Sequence, residues 1–443
     1  MFNKSSFFRE NLAVGFLLFA LFLGAGNIIF PPELGQQAGE NIIISIIGFL
    51  ITGVGLPLLA IVVVAKNGGD LQILGNRVGT KFSLIFTSIV YLAIGPLFAL
   101  PRTGAVSYSI GVAPHLTGDA QASSIPLFIT TLVFFSITIY LAYNPTKLVD
   151  RIGKVLTPAL LIVISLLALK AFMSPMGEIG EAKGGYATNA FGESFVQGYL
   201  TMDVLGALVF GIVILQAIQM RGITQRKEQV KITVFAGIIA AIGLSFVYIS
   251  LAYIGVTSPD AIGYLDDGGT ILAAASKVLY GQLGSIILSA TIILACLTTA
   301  VGLLSANASF FAKVFPKISY QTFLIIFTVF SFGVSNFGLD KLISISLPVL
   351  LIIYPIAIVL MVLALIGNAF DHSKFVYSFA LIVTTIISLY DGIKAAGFEI
   401  PAYESILTAL PLYEQSVGWL LPSIVAALIG YIVQMIYNKY SAK

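Results

Sequence analysis

Long apolar stretches separated by short charged segments set the pattern of this chain. Uncharged runs cover 11–32, 41–65, 82–101, 120–146, 155–169, 204–220, 232–259, 278–312, 318–339, 342–370, 375–390 and 415–438. A membrane helix needs about 20 largely apolar residues. Most of the runs reach that length. Three are shorter: 155–169, 204–220 and 375–390. They extend past a flanking charge, by snorkelling at Lys170 or by taking Asp203 into the span. The runs are continuously apolar rather than alternating, which excludes a transmembrane barrel. The pattern therefore predicts an all-α integral membrane protein of about twelve spans, in one domain over 1–443. The polar stretch 174–199 reads as an outside loop, too short for a soluble domain.

Composition agrees with this pattern. The chain is 58% hydrophobic and 10% charged, with a mean hydropathy of +1.01. Soluble domains carry about 25% charged residues, so membrane lipid must cover much of this surface. A net charge of +3 without a basic run interleaved with aromatics gives no sign of nucleic-acid binding. No loop is large enough to suggest an obligate protein partner. The lone Cys296 excludes an internal disulfide and a thiolate metal cluster. The first apolar run is too long for a signal segment, and no A-x-A site follows it; it reads as the first span.

Lys and Arg set the orientation. With a cytoplasmic N-terminus, 17 of the 23 basic residues fall in inside segments, among them Arg77, Lys147, Arg151, Lys154 and Lys227. The other six are Arg102, Lys170, Lys183, Lys277, Lys341 and Lys394. This alternation keeps register with twelve spans and places both termini in the cytoplasm.

Two spans contain weak points. The first holds Gly24, Gly26, Asn27, Pro31 and Pro32, and glycine and proline both weaken a helix interior. It is expected to unwind near Gly24–Asn27. Freed backbone at membrane depth must be buried in protein or line a cavity. A simple proline kink with a glycine packing face is the alternative. The sixth carries Asp203, Gly206 and Gly211, a spacing that also serves plain helix packing. Spans 1 and 6 head two halves of five spans, about 11–173 and 199–370, with two extra helices at about 375–438. Five is odd, so the halves enter the membrane in opposite senses. Paired broken helices in inverted halves point to a transporter's binding site.

A broken helix offers N–H groups to a carboxylate and carbonyls to an ammonium or Na⁺. One break thus suits a zwitterion with no charged side chain required. In the eighth span Thr298 and Thr299 are adjacent hydroxyls in an apolar helix. They either bond back to the preceding turn or supply oxygens to Na⁺. His115 and His372 fall in expected loops, and Asp203 is the one candidate for a buried carboxylate. Proton-driven carriers usually place an ionisable group in the pathway, so Na⁺ is favoured over H⁺. Asp203 and Arg102 are expected at the outer ends of spans 6 and 3, as solvated interfacial charges or as an outer gate pair. No Walker loop, paired His or GxSxG is present, so no enzyme is indicated.

Three segments carry a family resemblance: FALFLGAGNIIFPPELGQQAG (Phe19 to Gly39), GYLTMDVLGALVFG (Gly198 to Gly211) and LTTAVGLLSA (Leu297 to Ala306). They resemble the branched-chain amino acid:cation symporters, the BrnQ-type carriers of bacteria. The likeness covers essentially the whole chain. It implies uptake of leucine, isoleucine and valine across the bacterial plasma membrane with a cation, commonly Na⁺. It also implies the LeuT-like fold of two inverted five-helix repeats. In that fold the substrate carboxylate would meet N–H groups of Ala25 and Gly26, beside Gly24. The ammonium would meet carbonyls near Leu21, Phe22 and Val204. A Na⁺ would take carbonyls of Ala20, Leu23 and Ala295 and hydroxyls of Thr298 and Thr299. Asn27 matches a ligand of a second Na⁺. Leu205 stands where that site has a threonine, so a single coupled Na⁺ is expected. Val204, Phe210 and Leu303 would form an apolar side-chain pocket. Leu, Ile and Val differ by at most one CH₂, which such a pocket discriminates weakly.

Overall fold

A computed structural model describes residues 4–118, 123–143 and 157–441. The described residues are helical, with no strand. The longer helices are α1 (Lys4–Phe22), α2 (Ala25–Ala38), α3 (Ile42–Leu50), α4 (Leu56–Lys66), α5 (Thr80–Leu92), α6 (Ala99–Gly111), α7 (Ile125–Ala142) and α8 (Thr157–Met173). They continue as α9 (Gly185–Leu200), α10 (Asp203–Gln219), α11 (Arg226–Val256), α12 (Gly268–Val314), α13 (Tyr320–Ser335), α14 (Leu339–Ile366), α15 (Lys374–Ala395) and α16 (Leu420–Ser441). By length and composition, nine helical stretches of the described residues can cross a membrane. Shorter apolar helices lie at Asn11–Phe22, Leu161–Met173 and Tyr320–Ser335. Ile43, Ile85, Ile242, Leu283 and Ile382 stand exposed on outer faces, as suits contact with hydrocarbon. The basic residues Lys147, Arg151, Lys154 and Lys443, which contribute to the orientation argument, lie outside the described residues.

The first helix breaks where glycine makes it weakest, and the break is shorter than expected. Only Leu23 and Gly24 leave helical form, and α2 resumes at Ala25. Gly26 and Asn27 are already helical, and Pro31 and Pro32 lie inside α2. Proline removes a backbone donor. Here both rings are buried against protein, where neighbouring elements replace lipid.

The stretch 174–199 departs from the loop expectation. Most of it forms α9, and Gly185–Gln219 runs as one interrupted crossing, 78% buried within its most apolar window. Hydropathy fails here because protein, not lipid, surrounds this helix. Its polar groups find internal partners: the Tyr186 hydroxyl donates to Gln197 Oε1 at 2.7 Å, and Thr52 Oγ1 donates to the Phe195 carbonyl at 2.9 Å. The interruption also differs from the expectation. It falls at Thr201–Met202, with Met202 left-handed at φ 63°. Gly206 and Gly211 lie inside α10 instead.

Charge likewise misplaced the end of the third span. Helix continues past Arg102 to Gly111. Residues Ala93–Leu97 form a wide π-type turn in which Gly95 is non-helical. A Cβ on Gly95 would overlap the Asn307 side-chain amide. Gly95-Pro96 is thus a third interruption, readable as a breaker dipeptide.

Close backbone approaches hold the broken helices in place. A Cβ on Gly35 of α2 would overlap the Ala252 carbonyl of α11, and one on Gly255 of α11 would overlap the Pro32 carbonyl of α2. A Cβ on Gly198 of α9 would collide with Thr52, in the π-type turn Ile51–Gly55 that joins α3 to α4. One on Gly211 of α10 would collide with Val64 of α4. Each half of the interrupted crossing is therefore seated against a different part of Ile42–Lys66.

Candidate functional site

The site is built on the ends of α1 and α2. Where α1 stops, the Phe19 carbonyl accepts from Leu23 N at 2.8 Å and the Phe22 carbonyl accepts from Gly24 N at 2.6 Å. The carbonyls of Ala20, Leu21 and Leu23 face the Thr299 hydroxyl instead, at 3.4, 3.5 and 3.4 Å. One hydroxyl proton can serve only one of the three. Beside it Thr298 Oγ1 donates to the Ala295 carbonyl at 2.8 Å. The gathered groups are neutral oxygens. Among the described residues no cluster of His, Cys, Asp or Glu could hold a metal ion.

At the start of α2, Asn27 turns back on the break. Its Oδ1 accepts from Gly24 N at 3.0 Å, so the Gly24 amide is shared between the Phe22 carbonyl and a side chain that reaches back from the first turn, as in one arm of a capping box. Its Nδ2 donates to Asp203 Oδ2 at 2.6 Å and also to the Tyr248 hydroxyl. Tyr248 in turn donates to the same Asp203 oxygen at 2.7 Å. This closed triangle ties α2, α10 and α11 together.

The two breaks touch. A Cβ on Gly26 would lie 3.1 Å from Thr201 Cα and 3.3 Å from the Leu200 carbonyl oxygen. Between them is a narrow cavity of about 40 Å³. Ala25, Gly26 and Asn27 line it from one break, and Thr201, Met202 and Asp203 from the other. Phe22 and Phe210 close its apolar side with ring centroids 6.2 Å apart.

Across residues 8–437 the sequence matches the profile of a family described as branched-chain amino acid transport protein. The chain belongs to that family. It is 48% identical over 428 residues to the branched-chain amino acid permease BraB of Bacillus subtilis, covering 96% of each chain. It is 46% identical over 430 residues to the branched-chain amino acid transport system 2 carrier protein of Pseudomonas aeruginosa, covering 97% of each. With the permease BrnQ of Escherichia coli K12 it shares 44% over 426 residues, covering 96% of this chain and 95% of that one. It is therefore a multi-pass membrane transporter, not an enzyme. Two solved structures share its fold. One is Mhp1, a nucleobase-cation-symport-1 family transporter in a closed conformation with bromovinylhydantoin bound. It has a TM-score of 0.63 at 15% identity and covers 97% of this chain and 93% of its own. The other is MhsT in complex with L-phenylalanine, with a TM-score of 0.51 at 16% identity, covering 95% and 98%.

In this transporter the structure gathers most of the residues singled out in the sequence. Leu21, Phe22, Gly24, Ala25 and Gly26 line the cavity, as do Phe210, Leu303 and Thr299. Val204 does not line it; its side chain is fully buried in the packing of α10. Ala20, Leu23, Ala295 and Thr298 lie behind the cavity, buried. Asn27 also lines the cavity, with its oxygen on Gly24 N and its amide nitrogen on Asp203 and Tyr248.

Arg102 and Asp203 depart further. They are not solvated: Arg102 is 2% exposed and Asp203 4%. Both line the cavity, yet they do not bond to each other. Arg102 Nη1 donates to the Leu200 carbonyl at 2.5 Å and Nη2 to Ser346 Oγ at 2.9 Å. The guanidinium lies 5.6 Å from the Phe30 ring centroid. Its positive charge sits at the C-terminal end of α9, and the carboxylate of Asp203 sits in the first turn of α10. Each charge complements the dipole of the half-helix it faces. Two charged side chains thus border a cavity expected to need none. Tyr248 was also missed, though a tyrosine hydroxyl in the middle of an apolar helix signals a buried polar partner.

Proposed function

We propose that this protein is a secondary transporter that imports leucine, isoleucine and valine across the bacterial plasma membrane, with Na⁺ as coupling ion, by alternating access. The observation that carries the reading is the convergence of backbone at the first break. Carbonyls of Ala20 and Leu23 turn toward Thr299, and Ala25 and Gly26, whose N–H groups fall in the first turn of α2 without a helical partner, line the cavity. Permeases and carriers named for branched-chain amino acids, at 44–48% identity, support the substrate class. The donor set suits Na⁺, because three carbonyls share one hydroxyl proton and freed carbonyls in broken helices hold such ions. Bound there, Na⁺ would supply the positive charge that these oxygens lack. Thr298, Thr299, Ala20, Leu23 and Ala295 would hold it. Ala25 and Gly26 would bind the substrate carboxylate, and Phe22, Phe210 and Leu303 would bound its side chain. The cavity must widen to admit an isobutyl group.

The same reading takes the helices as twelve spans in two inverted halves of five plus two, with both termini cytoplasmic. Helices α1 and α2 form the first span, and α9 and α10 the sixth. The second half then starts near residue 185.

Coupling to protons is the second reading, and Asp203 favours it by placing a carboxylate on the cavity wall. Leucine uptake into proteoliposomes, with Na⁺ and pH gradients imposed separately, decides between them. Accumulation driven by Na⁺ alone is expected; accumulation driven only by a pH gradient overturns Na⁺ coupling. Thr298→Ala combined with Thr299→Ala is expected to reduce Na⁺-stimulated uptake by at least about tenfold, since each lost oxygen bonds a charge. Full Na⁺ dependence in that variant would place the ion elsewhere.

A further inference from the structure

Asp203 is the fully buried carboxylate among the described residues; the other buried polar side chains are hydroxyls, amides and the Arg102 guanidinium. A buried charge is costly unless a partner compensates it. The partners of Asp203 are neutral: Asn27 Nδ2 and the Tyr248 hydroxyl, both on Oδ2. Ion pairs of the described residues join Lys313 to Asp70 and Lys394 to Glu404, far from this site in sequence and partners. Arg102 is occupied by Leu200 and Ser346. Asp203 nevertheless lines the cavity, as do Ala25 and Gly26, whose N–H groups belong to the first turn of α2 and have no helical partner. The cavity therefore has a donor wall and an acid wall.

We infer that Asp203 is the partner of the substrate's α-ammonium and selects for solutes that carry one. The inference rests on the amino-acid carrier reading above and deepens it. A free amino acid places its carboxylate on the α2 N-terminus and its ammonium on Asp203, completing an ion pair that the protein leaves half built. A solute with the same side chain and no ammonium brings a second negative charge beside Asp203.

The test is binding of tritiated leucine to the purified full-length transporter. Competitors are isocaproate, which is leucine without its ammonium, and isoamylamine, which is leucine without its carboxylate. In the wild type, isocaproate is expected to compete roughly 100-fold more weakly than leucine, the usual scale for a truncated buried charge pair. Isoamylamine should retain measurable competition. Asp203→Asn should weaken leucine by a similar factor and leave isocaproate unchanged or tighter, so that the preference collapses. Asp203→Glu keeps the charge and should keep the preference. An isocaproate affinity equal to that of leucine in the wild type overturns the inference, whatever the variants do. So does a D203N protein that weakens both ligands equally, or an Asp203→Glu protein that binds leucine and shows no preference. If D203N fails to fold, the wild-type ratio and Asp203→Glu still decide. Absence of any leucine binding to the wild type would instead refute the carrier reading.

Discussion

Replacing Asn27 by alanine is expected to abolish leucine uptake, to below about 1% of wild type. The side chain joins three groups at once: the Gly24 amide at the break, the Asp203 carboxylate and the Tyr248 hydroxyl. Alanine leaves Gly24 N without its cap and takes a donor from a buried carboxylate. Losing a hydrogen bond to a buried charged group costs about 1.5–3 kcal/mol, and the carboxylate left short of a donor and the freed Tyr248 hydroxyl add to it, which together is a factor of about a hundred in the population of the intact site. Asn27→Asp separates the two contributions. It can keep the cap on Gly24, but it places an acceptor oxygen against Asp203 Oδ2, where the donor stood at 2.6 Å. Uptake should be lost there too, which would assign the effect to the carboxylate contact. If Asn27→Asp transports normally, the cap is what matters. Uptake in cells, with protein amount measured by immunoblot, reads both variants.

The second large effect is on folding. Gly255→Val should yield little folded protein, and Gly35→Val should do the same. The two glycines form a reciprocal contact in which the backbones of α2 and α11 meet directly. A Cβ on Gly255 would lie 2.8 Å from the Pro32 carbonyl carbon, and one on Gly35 would lie 2.8 Å from Val256 N. Backbone atoms cannot rotate away as a flexible side chain can. Overpacking commonly costs 1–3 kcal/mol, and here a whole half-helix must move. Because α2 also carries Asn27, its displacement would pull the cap from Gly24. Size-exclusion profiles in detergent should show aggregate in place of a monodisperse peak. A control at Gly118, where a Cβ would meet nothing within 4 Å, should leave the profile unchanged if valine is replaced by asparagine, which tolerates its positive φ.

The first break was legible because Gly24 and Gly26 are poor helix formers in an otherwise apolar run. Thr298 and Thr299 were legible because two adjacent hydroxyls stand out in an apolar helix. That Thr299 faces Ala20 and Leu23 followed from the family resemblance, since nothing in the residues alone pairs positions so far apart. Helix α9 was hidden because hydropathy assumes lipid on the outside, whereas its polar side chains are satisfied within the protein: Tyr186 donates to Gln197 and Ser194 to the Ala190 carbonyl, both inside α9. Arg102 and Asp203 were misplaced for a related reason. Charges served to mark the ends of spans, and a charge held inside by Leu200, Ser346, Asn27 or Tyr248 cannot be told from one in water by its letter. The interruption at Thr201–Met202 left no trace either, since methionine gives no warning of a left-handed backbone.

The seating of α9 against Thr52 and of α10 against Val64 has a mechanical consequence. The joint at Thr201–Met202 is not a free hinge. If α9 tilts while α10 stays, Gly198 pushes on the π-type turn Ile51–Gly55, and α3 must swing with it while α4 is pinned by Gly211. The two interrupted crossings then behave as a pair of cranks on parallel split axles. Torque applied at one joint appears at the other, and the wide turn acts as the soft coupling between them.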